Sequence, residues 1–373
     1  MKHINNLKIE GFRGIRDLRI EGLGSVNLIV GGNNAGKTSV LEAIELVCNP
    51  ISIAKFVETS RGRDRAISNF RVPLETSVEW MFPVSRSQDQ NEGSMGRELI
   101  QLEASIHGVR HSYVTSCVET KIIKTYENAL EPYDQTESRA LEITLRHFYM
   151  ALVEVEEKIS FLTSELPRGL RTNGKDIVPS RMVTPVDHRM LPIEAKSLTQ
   201  TFQSDKKGLI YLLQMFDSDI MGIELLAPDG VSAIPFIQHR YKSYVPVSVY
   251  GDGMRRVLTL ASAVIQANHG VLLIDEVETA LHHRNLSKVF SWLVEACSLF
   301  DVQLFVSTHS LEAIDAIVDT FIDVDLETEN VSLERLDRIV GYRLVQQTNQ
   351  TIAKRFAGKD LYSLRHEFGQ DVR

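Results

Sequence analysis

Val26-Asn27-Leu28-Ile29-Val30-Gly31-Gly32-Asn33-Asn34-Ala35-Gly36-Lys37-Thr38-Ser39 decides how the rest of the chain is read. Five residues from Val26 to Val30 make a short buried strand. Residues from about Lys37 to Val47 carry a helical pattern, closed by Asn49-Pro50. Between them, Gly31 to Thr38 fits GxxxxGK[ST] in the strand–loop–helix setting that the motif needs. Glycines let a loop wrap around phosphate with its N–H groups facing inward, and the helix N-terminus adds partial positive charge. Gly31, Asn33, Asn34, Ala35, Gly36 and Ser39 would form the cradle. Lys37 would reach the β- and γ-phosphates, and the Thr38 hydroxyl would take a place on Mg²⁺. An α/β nucleotide-binding fold of the P-loop NTPase type follows.

Two further strand ends supply groups that such a loop needs. Val271-Leu272-Leu273-Ile274 is a continuous apolar strand ending in Asp275-Glu276. A carboxylate beside a phosphate loop serves as an anionic partner for Mg²⁺, which assigns Asp275 to the metal. Glu276, one residue on, is placed to polarise the attacking water as general base. Val302 to Val306 is another buried strand, followed by Ser307-Thr308-His309-Ser310. A histidine at that edge can hydrogen-bond the γ-phosphate or the water. Tyr250-Gly251-Asp252-Gly253-Met254-Arg255-Arg256 precedes an apolar helix, so Gly251 and Gly253 open a second anion-binding helix end. Two such ends far apart in one chain suggest a nucleotide held between two protomers.

Around these motifs the chain alternates strands and helices. Ile4 to Ile20 reads as two short strands joined by a turn at Gly11 and Gly14. Thr76 to Val84 and Leu99 to His107 also alternate and read as strands, with a polar loop between. In the middle, Leu141, Leu145, Phe148, Leu152, Val155, Ile159, Leu162 and Leu166 recur at alternating spacings of 4 and 3. That predicts a heptad helix over 141–166, about 40 Å long at 1.5 Å per residue. Its stripe needs a cover: residues 118–130, 193–202 or 206–216 of the same chain, or a second copy. The organisation expected is a head of residues 1–110 and 225–373, with a mostly helical insertion at 111–224.

Composition bounds the function. The chain has 373 residues, 43% hydrophobic and 24% charged, as in a globular protein with a full core. A net charge of −8 argues against a wholly basic nucleic-acid wrapper. Cys48, Cys117 and Cys297 stand far apart, which excludes a disulfide framework or zinc ribbon and suits a reducing cytoplasm. No apolar run reaches the ~18 residues of a membrane span, and Met1 to Asn6 lacks the apolar core of a signal peptide.

Together these motifs resemble the ABC-type ATPases of the SMC, RecF and OLD class. The likeness is strongest to their small bacterial relatives of anti-phage systems, often paired with a nuclease or effector subunit. Leu7-Lys8-Ile9-Glu10-Gly11-Phe12-Arg13-Gly14 carries it too, as does Val277-Glu278-Thr279-Ala280-Leu281-His282-His283. The resemblance implies ATP as nucleotide, a D-loop at Glu278–His282, His309 as switch histidine and Arg13 near the phosphates. It implies a homo-oligomer, at least a dimer, and an effector or nuclease on a separate chain, with DNA as a further partner.

Several features depart from that class. The signature lacks a Ser-Gly-Gly core, since Asp252 stands between Gly251 and Gly253. Gln88 and Gln101 are the candidates for a Q-loop glutamine. Asp323-Val324-Asp325 has the spacing of a Toprim nuclease, but residues 311–373 are too few to build that domain. His282-His283 lacks accompanying metal ligands. Arg168, Arg171, Lys175, Arg181, His188 and Arg189 form a basic stretch suited to phosphate backbone or to a solvated loop. Lys37 and Gly253 stand much further apart in the chain than in a transporter's nucleotide-binding subunit.

Overall fold

The computed structural model describes residues 2–63, 72–83, 98–128, 131–149, 152–162, 176–190, 195–324, 331–348 and 350–373. Strands β1 (Ile4–Phe12) and β2 (Ile15–Glu21) form the expected hairpin, with Phe12 opposite Ile15. All of β3 (Val26–Val30) is buried, and α1 (Lys37–Cys48) follows the glycine loop. Ser52 caps α2 (Ile53–Arg61) by accepting the Lys55 N–H.

Two expectations fail next, both because a hydrophobic pattern serves either element. Residues 76–84, expected as a strand, begin inside helix α3 (Leu74–Glu79). Pro73 supplies the extended cap, and Leu74 and Val78, four apart, are both buried. The heptad helix 141–166 is also absent. Its described residues lie in strands β6 (Glu131–Tyr149) and β7 (Leu152–Leu162), and Leu166 falls outside the described residues. Leu141, Ile143, Leu145 and His147 alternate along β6, and all four are buried. That period of two was present beneath the spacing of 4 and 3. Pairing with β5 (Val109–Asn128) runs along almost the whole length of β6.

The antiparallel sheet therefore runs β2-β1-β4-β5-β6-β7, with β4 (Glu98–Ile106) as expected. Residues proposed as a helical insertion thus extend the amino-terminal sheet. The rest of that segment joins the central sheet and its helices. β8 (Ser180–Val183) lies on the edge of the central sheet, and α4 (Asp187–Met190) and α5 (Ala195–Leu213) follow. Candidate helices 193–202 and 206–216 merge into α5, whose Leu198, Leu209, Leu212 and Leu213 are buried.

A small sheet of β9 (Ile220–Leu226), β10 (Ile234–His239) and β11 (Ser243–Pro246) leads to α6 (Asp252–Gln266). Then come β12 (Val271–Ile274), α7 (His283–Leu299), β13 (Gln303–Ser307) and α8 (Leu311–Asp319). The chain closes with the short pair β14 (Asp323–Val324) and β15 (Val331–Ser332). β16 (Ile339–Gln346), β17 (Thr351–Ala357) and α9 (Gly358–Tyr362) follow.

The central sheet has the order β17-β16-β3-β13-β12-β8, parallel except for the edge strand β17. Its core strands are mainly apolar, as burial on both faces favours, with Asn27, Gln303 and Ser307 as buried polar exceptions. One face packs on α5, α6, α7 and α8. The other packs with α1 against the antiparallel sheet. Helix α1 is thus covered on nearly every side, and Ser39 to Cys48 are all buried. This order puts the carboxyl ends of β3, β13 and β12 side by side, where ligands bind in open α/β sheets. No helix among the described residues is long and apolar enough to cross a membrane.

Candidate functional site

The glycine loop leaves β3 through Gly31, at φ +147°, where a Cβ would lie 2.8 Å from the Leu344 carbonyl oxygen of β16. Gly36, at φ +97°, caps α1 in the left-handed region. Gly32, Asn33 and Asn34 are exposed, while Ala35 is buried and anchors the loop. The Lys37 Nζ folds back over it and donates to the carbonyls of Gly31 at 2.8 Å and Gly32 at 3.1 Å. Burial lowers the Lys37 pKa, and the nearby carboxylates of Asp275, Glu276 and Glu278 oppose that shift. A positioned cation beside exposed N–H groups at a helix start suits a phosphate chain.

Neighbouring strand ends converge on Asp275. Thr38 Oγ1 donates to its Oδ2 at 2.9 Å, and Ser307 Oγ donates to its Oδ1 at 2.5 Å. The same Ser307 oxygen accepts the Glu276 N–H at 2.9 Å. Glu276 sits at φ +45°, a conformation that costs a non-glycine residue roughly 1–2 kcal/mol. Its Oε2 accepts from Thr279 Oγ1 at 3.4 Å. Glu278 Oε1 accepts the His309 N–H at 3.2 Å and lies 3.2 Å from His309 Nδ1. The His309 side chain is 57% exposed, so its other ring nitrogen is accessible to a ligand. Thr38 and Asp275 offer the hard oxygen donors that fit a small divalent cation.

The remaining expected residues stand apart from this cluster. Arg13 turns to Glu42 on α1, Nε to Oε2 at 2.7 Å, and to the Thr59 carbonyl at 3.0 Å. Arg63 holds the same Glu42 at 2.7 Å and donates to Ser39 Oγ at 2.9 Å. Arg13 is thus engaged at Glu42, one turn along α1 from Thr38, and Ser39, the residue after Thr38, by Arg63. Gly251 is exposed and caps α6, with open space around its Cα. Gly253 is closed in: a Cβ would lie 2.8 Å from Phe216 Cε1 and 3.0 Å from the Ala280 carbonyl oxygen. Asp252, in the same turn, pairs with Arg189. Gln101 lies exposed within β4, and Gln88 falls outside the described residues.

Arg168, Arg171 and Lys175 of the basic stretch also lie outside the described residues. Its described members do not form an outward patch. His188 is buried, and burial pushes its pKa down, towards the neutral form. Arg189 is held by Asp252, and Arg181 lines an internal chamber. The pair His282–His283 opens α7, where His282 caps the helix by accepting the Arg284 N–H at 3.3 Å.

The family described as "AAA domain, putative AbiEii toxin, Type IV TA system" matches residues 87–315. The chain belongs to this AAA-domain family. A second family, described as "AAA ATPase domain", matches residues 1–69. An "ATP/GTP phosphatase" of Helicobacter pylori is 24% identical over 371 residues, covering 90% of this chain and 94% of that protein. The "DNA replication and repair protein RecF" of Francisella tularensis subsp. mediasiatica is 20% identical over 357 residues, covering 85% and 98%. Among solved structures, the Smc head domain with an extended coiled coil bound to the C-terminal domain of ScpA, from Pyrococcus furiosus, has a TM-score of 0.49. Its identity is 12%, with 99% of this chain and 100% of that chain covered.

The AAA-domain chain holds two polar residues that the motif reading passed over. Ser307 ties Asp275 to Glu276, and it is fully buried. Arg256, on α6, is the larger surprise, since it too is fully buried. It donates to the carbonyls of Thr184 at 2.6 Å, Asp275 at 3.2 Å and Glu276 at 3.4 Å. Burial pulls its pKa to about 10, so it stays charged at neutral pH. The start of α6 is thereby wired to the acidic strand end. Both residues stood inside quoted motifs, but only the strand order shows which groups they meet.

Ser307→Ala leaves the Asp275 Oδ1 and the Glu276 N–H without this partner. A hydrogen bond to a charged group contributes about 1.5–3 kcal/mol. The expected result is a turnover about tenfold lower and a weaker apparent affinity for Mg²⁺, read from metal titrations of ATP hydrolysis. Ser307→Thr should recover part of both.

Proposed function

We propose that ATP binds with its phosphates in the Gly31–Lys37 loop, and that two copies of the chain close around it. The observation that carries this reading is the shared network of Thr38, Asp275, Ser307 and Glu276 at adjacent strand ends. Lys37 leaves the Gly31 and Gly32 carbonyls for the β- and γ-phosphates. Mg²⁺, held by Thr38 and Asp275, would neutralise phosphate charge. Glu276 accepts a proton from the attacking water, and its fixed backbone aims the carboxylate. His309, paired with Glu278, contacts the γ-phosphate through its accessible nitrogen. The exposed Gly251 end of α6 meets the nucleotide of the second copy, while Gly253 secures the packing of that turn on Ala280. Arg189 offsets the charge of Asp252, which would otherwise repel a phosphate there.

We further infer a regulatory ATPase that acts through an effector or nuclease on a separate chain, in bacterial defence or DNA maintenance. The family description names a toxin–antitoxin system, which supports this reading. Cys48, Cys117 and Cys297 stand far apart in the sequence, which suits a reducing cytoplasm. A second reading, a DNA-binding repair ATPase, is favoured by the likeness to RecF along 85% of the chain. The described part of the basic stretch lends it no outward patch.

The test is the solution mass of Glu276→Gln by light scattering. A mass that doubles with ATP and Mg²⁺ is the expected result. A nucleotide-independent mass would remove the closing step and assign assembly to other surfaces.

A further inference from the structure

A chamber of about 270 Å³ opens beside the proposed metal position, with Thr38 and Asp275 in its wall. That is many times the ~15 Å³ that admits one water. The wall continues through residues of α1 and α2, and through β8 and the loop after it. It passes from buried groups to the surface: Asp275 is 7% exposed, whereas the side chains of Glu58 and Arg63 are close to half exposed.

Its charges are unevenly committed. Glu42 is held by Arg13 and Arg63, and Glu45 and Glu58 share Lys55 at 2.8 and 3.3 Å. Burial also raises the Glu45 pKa, towards the neutral form. Arg181 remains. Among the described residues its side chain makes no hydrogen bond or close ion pair; its charge is felt by Glu45, and its Nε is buried without a hydrogen-bond partner. A guanidinium placed this way leaves several donors for a tetrahedral oxyanion.

We propose that this chamber is a subsite for inorganic phosphate, with Arg181 as its cation, through which the product leaves the nucleotide site. The proposal rests on the nucleotide reading above. Cleavage at the Thr38–Asp275 end frees an anion next to the chamber mouth, while ADP still fills the loop. A path through the protein lets phosphate depart before the two copies separate.

The experiment uses the full chain and inorganic phosphate as probe. Inhibition of ATP hydrolysis by added phosphate, with ADP present, is measured for Arg181→Met, which keeps the stem and removes the charge. The half-inhibiting concentration should rise about tenfold, and Arg181→Lys should restore most of the sensitivity. Val186→Trp, which fills the chamber, should make phosphate release at least fivefold slower than cleavage in a single turnover. Unchanged phosphate inhibition in Arg181→Met would overturn the proposal. So would a loss of ATP affinity by the same factor, which marks a purely structural role. If Lys37→Ala kept its ATP affinity, the nucleotide reading would fail first, and the subsite with it.

Discussion

Glu276→Gln should bind ATP with wild-type affinity and hydrolyse it at least a hundredfold more slowly. The exchange keeps the shape of the side chain and removes its capacity to take a proton. General-base catalysis contributes about 10²- to 10⁴-fold. The Glu276 backbone is held at φ +45° by the Ser307 hydroxyl, so the amide should occupy the carboxylate's place. Binding rests on other groups: Lys37 in the loop, and the Thr38 hydroxyl against Asp275. Steady-state phosphate release and equilibrium binding of a fluorescent ATP analogue separate the two effects. Turnover near that of the wild type would move the base elsewhere, with Glu278 and His309 next in line.

Lys37→Ala should abolish ATP binding at micromolar protein concentration, a loss of a hundredfold or more in affinity. Lys37 Nζ is the charged group that the structure folds across the glycine loop. A charged hydrogen bond is worth about 1.5–3 kcal/mol, and two bonds to phosphate oxygens would amount to about 3–6 kcal/mol. Each 1.4 kcal/mol is about tenfold in affinity, so the loss exceeds a hundredfold. Burial lowers the Lys37 pKa, but the three carboxylates opposing that shift favour the charged form. Calorimetric titration with ATP reads the affinity. A melting temperature close to wild type in the absence of nucleotide shows that the loop residue acts on the ligand, because Lys37 is only half-buried. Retained affinity would place the nucleotide outside the Gly31–Lys37 loop.

Much of this site was legible before any coordinates. Val26 to Val30, Val271 to Ile274 and Gln303 to Ser307 are strands, as their mainly apolar runs indicated. Such runs mark strands covered on both faces, and glycine and acidic residues mark where they stop. The helix after the glycine loop begins at Lys37, as the motif demands. The family resemblance drawn from those residues agrees with the AAA-domain match over 87–315.

The middle of the chain was misread for a physical reason. Along β6 and β7 the same apolar residues satisfy a heptad spacing and a strand alternation. What favours the strands is pairing with β5, a partner contributed by another part of the chain. Residues 76–84 failed in the same way, since so short a stretch gives a period little room to declare itself. The family resemblance set Arg13 near the phosphates; in the fold its guanidinium pairs with the Glu42 carboxylate on α1.

By itself the sequence determined which strand ends offer a glycine loop, a pair of acids and a Ser-Thr-His run, because each needs only local residues. The tertiary structure decided how those ends meet. β13 lies between β3 and β12, so Ser307 stands between the phosphate loop and Asp275 and can bond to both Asp275 and Glu276. It also decided that Arg256 is buried behind the acids and that Arg181 lines a chamber. Strand order and side-chain environment are properties of long-range pairing, and no local pattern of residues encodes them.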